Sequence, residues 1–241
     1  MAGLLFARLR NRLLRTRLRG KNLHPLAHAN LKALDQISRN QTAKSLRYVV
    51  LDLETTGLSL TRDRVVSLAA YRIVDGRILL GDVFNSLVCP GRDIPSSAVK
   101  IHGIMPSMVA GAPQFADVFE QFLQFAGADI LVGYHVRFDL NFLNIYMRQN
   151  HGFPIQNLVL DAHPICRRVC FPRHLRSYAK RIGTNQDLDM MARHFGIEIQ
   201  NRHTALGDAL ATAMIFQRIL IAIERSGPGR LKNLLAVSRS V

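Results

Sequence analysis

Residues 48–57 read Tyr48-Val-Val-Leu-Asp-Leu-Glu-Thr-Thr-Gly57, and this stretch decides the fold. Val49, Val50, Leu51 and Leu53 give a run apolar enough for a buried strand, and Thr55-Thr56-Gly57 closes it. Residues i and i+2 of a strand share a face, so Asp52 and Glu54 point to one place. Two ionised carboxylates at the end of a buried strand repel each other and lose hydration. Without compensation at least one takes up a proton. A bound divalent cation is the usual compensation, and hard oxygen ligands suit Mg²⁺ or Mn²⁺. Two solvated acids at a strand end satisfy the same local pattern, so the pair needs partners.

Outward from this strand, Val65–Val74 and Arg77–Val88 read as two more strands, joined at the hairpin signal Asp75-Gly76. Short helices are expected between Ser96 and Val109. A longer one over Gln114–Ala126 carries Phe115, Val118, Phe119, Phe122 and Phe125 on its apolar face. A strand at Ile130–Tyr134, a helix over Phe138–Gln149 and a short strand at Leu158–Leu160 follow. Residues 163–186 read as basic and irregular, and helices at Gln186–Phe195 and Thr204–Arg225 complete the pattern. Three hairpin-compatible strands followed by strand–helix alternation predict an α/β fold with a mixed sheet flanked by helices.

The order of elements supplies partners for the first two acids. Asp139 comes early in its helix, just after the strand at 130–134, and reaches the same sheet edge if that strand lies beside the first. Taken singly, it is an ordinary helix-start acid favoured by the macrodipole. Asp208 sits among Ala205, Leu206, Gly207, Ala209, Leu210 and Ala211, on a helix small enough to approach a sheet closely, where an acid is seldom casual. His203, five residues earlier, lies at or before the first helical turn and can reach over the same place.

The chain has 241 residues and a formal net charge of +15, a balance that points to polyanions, either nucleic acid or an anionic membrane surface. No run approaches the roughly 18 uninterrupted apolar residues expected of a membrane span. Eight Lys or Arg residues precede the first acid, Asp35. Leu5, Leu9 and Leu13, with Phe6, Leu14 and Leu18, recur at helical spacing between arginines at 8, 10, 12, 15, 17 and 19. The expectation is a basic amphipathic helix within an N-terminal extension of residues 1–46, dispensable for the catalytic fold. It is a solvated arm, a nucleic-acid clamp, a membrane-binding segment or an organellar transit segment. Three cysteines are too few for a disulfide framework, which points to a reducing, cytoplasmic setting. His163, Cys166, Cys170 and His174 have zinc-like spacing, but Pro164 and Pro172 oppose one continuous helix beneath them.

Together these residues resemble the DEDDh exonuclease family, whose members include the proofreading epsilon subunit of bacterial replicative DNA polymerase. The first motif is Val50-Leu-Asp-Leu-Glu-Thr-Thr-Gly57, the second Leu131-Val-Gly-Tyr-His-Val-Arg-Phe-Asp139, and the third His203-Thr-Ala-Leu-Gly-Asp208. A histidine five residues before the last aspartate selects the histidine subclass over the tyrosine one. The second motif departs from the family, carrying Tyr134-His135 where His-Asn is frequent. Asp161 matches a recurrent acid, read here as structural, and His102-Gly103-Ile104 matches a segment near the bound strand.

The resemblance covers about residues 47–223. It implies an RNase H-like mixed five-stranded sheet, here with a basic helical extension before an exonuclease domain at 47–225 and a short basic tail at 226–241. It further implies 3′→5′ removal of nucleoside monophosphates with two Mg²⁺ or Mn²⁺ ions held by Asp52, Glu54, Asp139 and Asp208. His203 would be the general base, and Thr55, Thr56, Gly57 and Leu58 would hold the terminal nucleotide. Single-stranded DNA is the expected substrate, and a DNA polymerase or repair complex the expected assembly. RNA trimming, of the oligoribonuclease or ribonuclease T type, is the alternative, because contacts to the 2′-OH separate the two. A non-catalytic nucleic-acid-binding module would have lost at least one acid, and all four are present.

Overall fold

The computed structural model describes residues 2–169 and 187–238. Five strands form one sheet: β1 (Tyr48–Thr55), β2 (Val65–Val74), β3 (Arg77–Leu87), β4 (Ile130–Gly133) and β5 (Val159–Asp161), in the order β3-β2-β1-β4-β5. The first three are antiparallel neighbours, whereas β4 and β5 run parallel to β1. The sheet is therefore mixed, as expected. At the β2–β3 turn both Asp75 (φ 51°) and Gly76 (φ 72°) are left-handed, the twist a two-residue hairpin requires.

Period-two alternation in β1 separates two cores. Tyr48 and Val50 join Ile73, Ile130, Val132 and Leu160 under one helical layer. Val49, Leu51 and Leu53 join Leu68, Ala70 and Leu131 under the other. The first layer contains α7 (Ala162–Val169), α8 (Asp187–His194) and α9 (Ala205–Arg225). The second contains α5 (Phe115–Ala126) and α6 (Arg137–His151), and the short α3 (Ser96–His102) and α4 (Pro106–Val109) pack beside β2. Among the described residues α9 alone is long and apolar enough to cross a membrane by composition, and 61% of that stretch is buried in this fold. It is the core helix of the sheet.

The N-terminal extension forms α1 (Ala2–Leu18) and α2 (Pro25–Leu31), packed where β4 and β5 begin. Asn30 donates to the Asn157 side chain at 2.5 Å and accepts the Gln156 N–H at 2.8 Å. Asn157 in turn donates to the carbonyls of Gly127 (3.0 Å) and Asp129 (2.8 Å). Leu4, Leu34 and Ile37 enter one core, and Leu18, Ala27 and Leu31 the other. The helix itself was expected, but the expectation of a segment unneeded by the fold is corrected by these buried side chains.

Two further differences have local causes. Residues 163–169, expected to be irregular, lie in α7. Pro164 falls in its first turn, where the missing N–H has no helical partner to lose. The basic tail contains α10 (Leu231–Val237), whose Leu231 and Leu234 are fully buried. Ala43 donates to the Gly229 carbonyl at 2.6 Å, Leu231 to that of Gln41 at 2.9 Å and Lys232 to that of Arg39 at 2.9 Å. Residues 170–174, which hold half of the zinc-like quartet, lie outside the described residues. Of the other half, the His163 ring lies 4.2 Å from that of His135, and Cys166 Sγ lies 3.6 Å from Met191 Sδ.

Candidate active site

Pairing between β1 and β4 runs from Tyr48–Ile130 to Val50–Val132, and β4 ends at Gly133. The last residues of β1 therefore outrun their neighbour at the carboxyl end of the sheet, the usual ligand position in open α/β sheets. Asp52 and Glu54 continue the register of Tyr48 and Val50, so they face the α9 layer. Asp208, in the first turn of α9, meets them there. One carboxylate oxygen from each of Asp52, Glu54 and Asp208 lies within 4.8 Å of the others. Asp139, in the first turn of α6, is buried outside this trio but close enough to repel Asp52, and the N–H groups of Leu53 and of Asp139 itself favour its charged form.

Burial first, then repulsion from Asp139, Asp208 and Glu54, drives Asp52 well above the carboxylate range. Burial, with repulsion from Asp208 and Asp139, pushes Glu54 up to about 8. Burial likewise pushes Asp139 up to about 8, against the two N–H groups that favour its charged form. Asp208 is raised by burial and restrained by the Arg202 guanidinium, which pairs with its Oδ2. Its Oδ1 is buried and has no hydrogen-bond partner among the described residues. All the donor atoms are hard carboxylate oxygens, one of them orphaned, and so they fit a divalent cation of the Mg²⁺ or Mn²⁺ type.

Gln200–Thr204 carry His203 to the rim. Asn201 (φ 54°) and His203 (φ 61°) are both left-handed, and His203 is exposed with Nδ1 3.4 Å from Arg202 Nη1. Arg202 Nε also donates to Asp189 of α8 at 2.8 Å, so this guanidinium bridges two helices at the site. The loop lies directly on α9 because residue 207 is glycine. A Cβ there would come within 2.3 Å of the Asn201 carbonyl and 2.4 Å of that of Gln200. Gly207→Ala should therefore lift the loop and misplace His203, lowering turnover about 10- to 100-fold while carboxylate identity is unchanged. Wild-type turnover in this variant would mean that the loop contributes nothing to the reaction.

At the other side of the site, Thr55 Oγ1 donates to the Gly57 carbonyl at 2.7 Å. Thr56 Oγ1 donates to Asp63 at 3.0 Å and accepts the Arg64 N–H at 3.0 Å. Gly57 packs against the Asp63 carboxylate, 2.6 Å from where a Cβ would stand. The loop after β1 is thereby fixed, and Leu58 stands out from it 83% exposed. Nearby, buried His102 accepts the Ile104 N–H on Nδ1 at 3.0 Å. Asp161 accepts the N–H groups of His135 and His163 at 3.1 and 3.0 Å, fixing the left-handed turn at His135.

The exonuclease family profile (RNase_T) matches residues 49–216 of this chain. The chain belongs to this exonuclease family. A DNA polymerase III subunit epsilon of Aquifex aeolicus is 38% identical to the exonuclease over 173 residues, 72% of this chain and 80% of that one. A DNA polymerase III subunit epsilon-like protein of Rhodobacter capsulatus is 39% identical over 76% of this chain, which spans only 25% of that relative. Solved structures below 25% identity share its fold. E. coli exonuclease I with a dT13 oligonucleotide has a TM-score of 0.61 at 21% identity, over 75% of this chain and 42% of that one. Exonuclease X with 5′-overhanging duplex DNA has a TM-score of 0.56 at 22% identity, over 80% and 99% respectively.

The candidate site brings Asp52, Glu54 and Asp208 together, with Asp139 buried close by and His203 on the exposed loop before α9. Sequence reasoning missed Arg202 and Asp63. No local pattern marks either, because one is defined by its reach to Asp208 and Asp189 and the other by a loop that returns to Thr56. The raised carboxyls carry a pH signature. From the ordinary carboxylate range up to about pH 8, the metal-free folded enzyme holds protons that the unfolded chain has released. Its stability should therefore fall as pH rises through that window, and Mg²⁺ should offset the loss by binding the ionised forms. Melting in chelator at several pH values tests this, and a melting temperature that climbs with pH would contradict the burial.

Proposed function

We propose that this exonuclease removes nucleoside monophosphates from the 3′ end of nucleic acid, single-stranded DNA by preference. Asp52, Glu54, Asp139 and Asp208 hold two ions, Mg²⁺ or Mn²⁺, and His203 is the general base. The observation that carries this reading is the convergence of Asp52, Glu54 and Asp208 at the overhanging end of β1, with an orphaned oxygen on Asp208. When bound, such a pair of ions polarises the phosphoryl group, acidifies the attacking water and stabilises the leaving oxygen. The exposed imidazole of His203 takes the water's proton. Arg202 competes with metal for Asp208 and stays tethered through Asp189. The backbone at Thr55, Thr56 and Gly57 holds the terminal nucleotide, and Leu58 packs on its base.

The preference for DNA is supported by the relatives named as polymerase subunits and by the exonuclease I and X structures, which contain DNA. The same names support a polymerase or repair complex as the assembly; in this reading residues 47–225 carry the catalytic groups and the enzyme works in a bacterial cytoplasm. The test uses purified protein with Mg²⁺ or Mn²⁺ on single-stranded DNA, duplex DNA and RNA. A 5′-labelled strand should shorten progressively and a 3′-labelled one should lose its label first, both blocked by chelation. Release of a 5′ label first would reverse the polarity, and faster cleavage of RNA would reassign the substrate.

A further inference from the structure

We infer that the outward face of α1 is a docking surface for an anionic lipid bilayer. The helix has two apolar faces. Its inner one, Leu4, Ala7, Leu14 and Leu18 with buried Asn11, packs on the domain. Arg8 and Arg15 lock that orientation. Arg8 donates to the Leu34 and Ile37 carbonyls, and Arg15 to the Leu31 carbonyl and to Asp35 at 2.9 Å. Asn11 donates to Gln156 at 3.0 Å.

With the inner face fixed, Leu5, Phe6, Leu9 and Leu13 point to solvent, exposed by 72%, 65%, 57% and 65%. At 100° per residue these four fall within one narrow strip, near 0°, 100°, 40° and 80° from Leu5. Arg12 and Arg19 border one side of the strip and Arg10 and Arg17 the other. All four arginines are exposed, and none pairs with an acid among the described residues. No acid occurs before Asp35. An apolar strip between two cationic rows matches a bilayer boundary, where acyl chains take the strip and anionic headgroups take the arginines.

Other occupants fit the face less well. A single nucleic-acid strand would satisfy the arginines but leave three leucines without the aromatic platforms that bases stack on. A second copy of the face would bring cationic rows against cationic rows. The position also suits a surface-bound enzyme. α1 and α2 sit where β4 and β5 begin, while the carboxylates sit at the far end of β1. Docking through α1 therefore leaves the site facing water.

The test is flotation of the full chain with vesicles of phosphatidylcholine alone, or of phosphatidylcholine with phosphatidylglycerol. Wild-type protein should float with the anionic vesicles only, less so in high salt. Leu9→Gln/Leu13→Gln keeps the charge and the helix, and should weaken association about tenfold or more. Its melting temperature and its turnover on short oligonucleotides should not change, because both side chains are exposed. The proposal fails if wild-type protein does not float, or if the double variant floats equally well. It also fails if the variant leaves vesicle association intact and instead loses affinity for a long single strand or dissociates a dimer. None of these outcomes depends on the nuclease assignment, which the labelled-strand assay reads separately.

Discussion

Asp52→Asn should lose activity by about a thousandfold or more, and yet melt in chelator at the wild-type temperature or above it. The two halves of that expectation share one cause. Asp52 is half-buried among Glu54, Asp139 and Asp208, and each of them opposes its ionised form. In the metal-free protein the amide removes that repulsion without changing shape, so stability does not fall. In the proposed two-ion site it removes a charged ligand from the centre. Several kcal/mol of transition-state stabilisation go with it, and about 4 kcal/mol corresponds to a thousandfold. Steady-state turnover on a labelled oligonucleotide and a thermal melt of the same preparation read both halves. Full activity in the purified variant would sink the four-carboxylate site.

His203→Asn should reduce turnover by roughly two to four orders of magnitude while divalent ions still bind. Asparagine is the informative replacement, because residue 203 is left-handed (φ 61°), and asparagine tolerates that conformation where most residues do not. The loop should stay in place, so the loss reports the imidazole and not its support. Turnover on a labelled oligonucleotide and a calorimetric titration with Mn²⁺ read the two halves separately. Wild-type turnover in the variant would assign the proton transfer to another group. Together with Gly207→Ala this separates the base from its placement: one change removes the group, and the other moves it.

The catalytic end of the sheet was legible in the sequence because its logic is local. Alternation in Tyr48–Glu54 put Asp52 and Glu54 on one face, Asp75-Gly76 fixed the hairpin, and the small residues around Asp208 announced a close-packed helix. What escaped depends on distant partners. The leucine stripe at 5, 9 and 13 gave the right helix, but the buried face runs through Leu4, Ala7, Asn11 and Leu18, which earn burial only through residues 31–37 and 156. Leu231 and Leu234 read as part of a tail until the Gln41 and Arg39 carbonyls fix their helix. Nothing within a few residues of Arg202 reveals Asp189, so its place at the site is set only by the fold.

The hydrogen bonds from Ala43, Leu231 and Lys232 join two segments that lie far apart along the chain. Contacts of such long range are reached late, since the loop they close must be ordered against its own entropy. In synthesis α9 with Asp208, and then residues 229–232, follow all five strands out of the ribosome. A nascent chain that already displays Asp52, Glu54 and Asp139 still lacks the fourth acid and the clasp that seals the fold. The fourth acid thus arrives with a helix from the far end of the fold, so the set of four is completed only when the long-range contacts close.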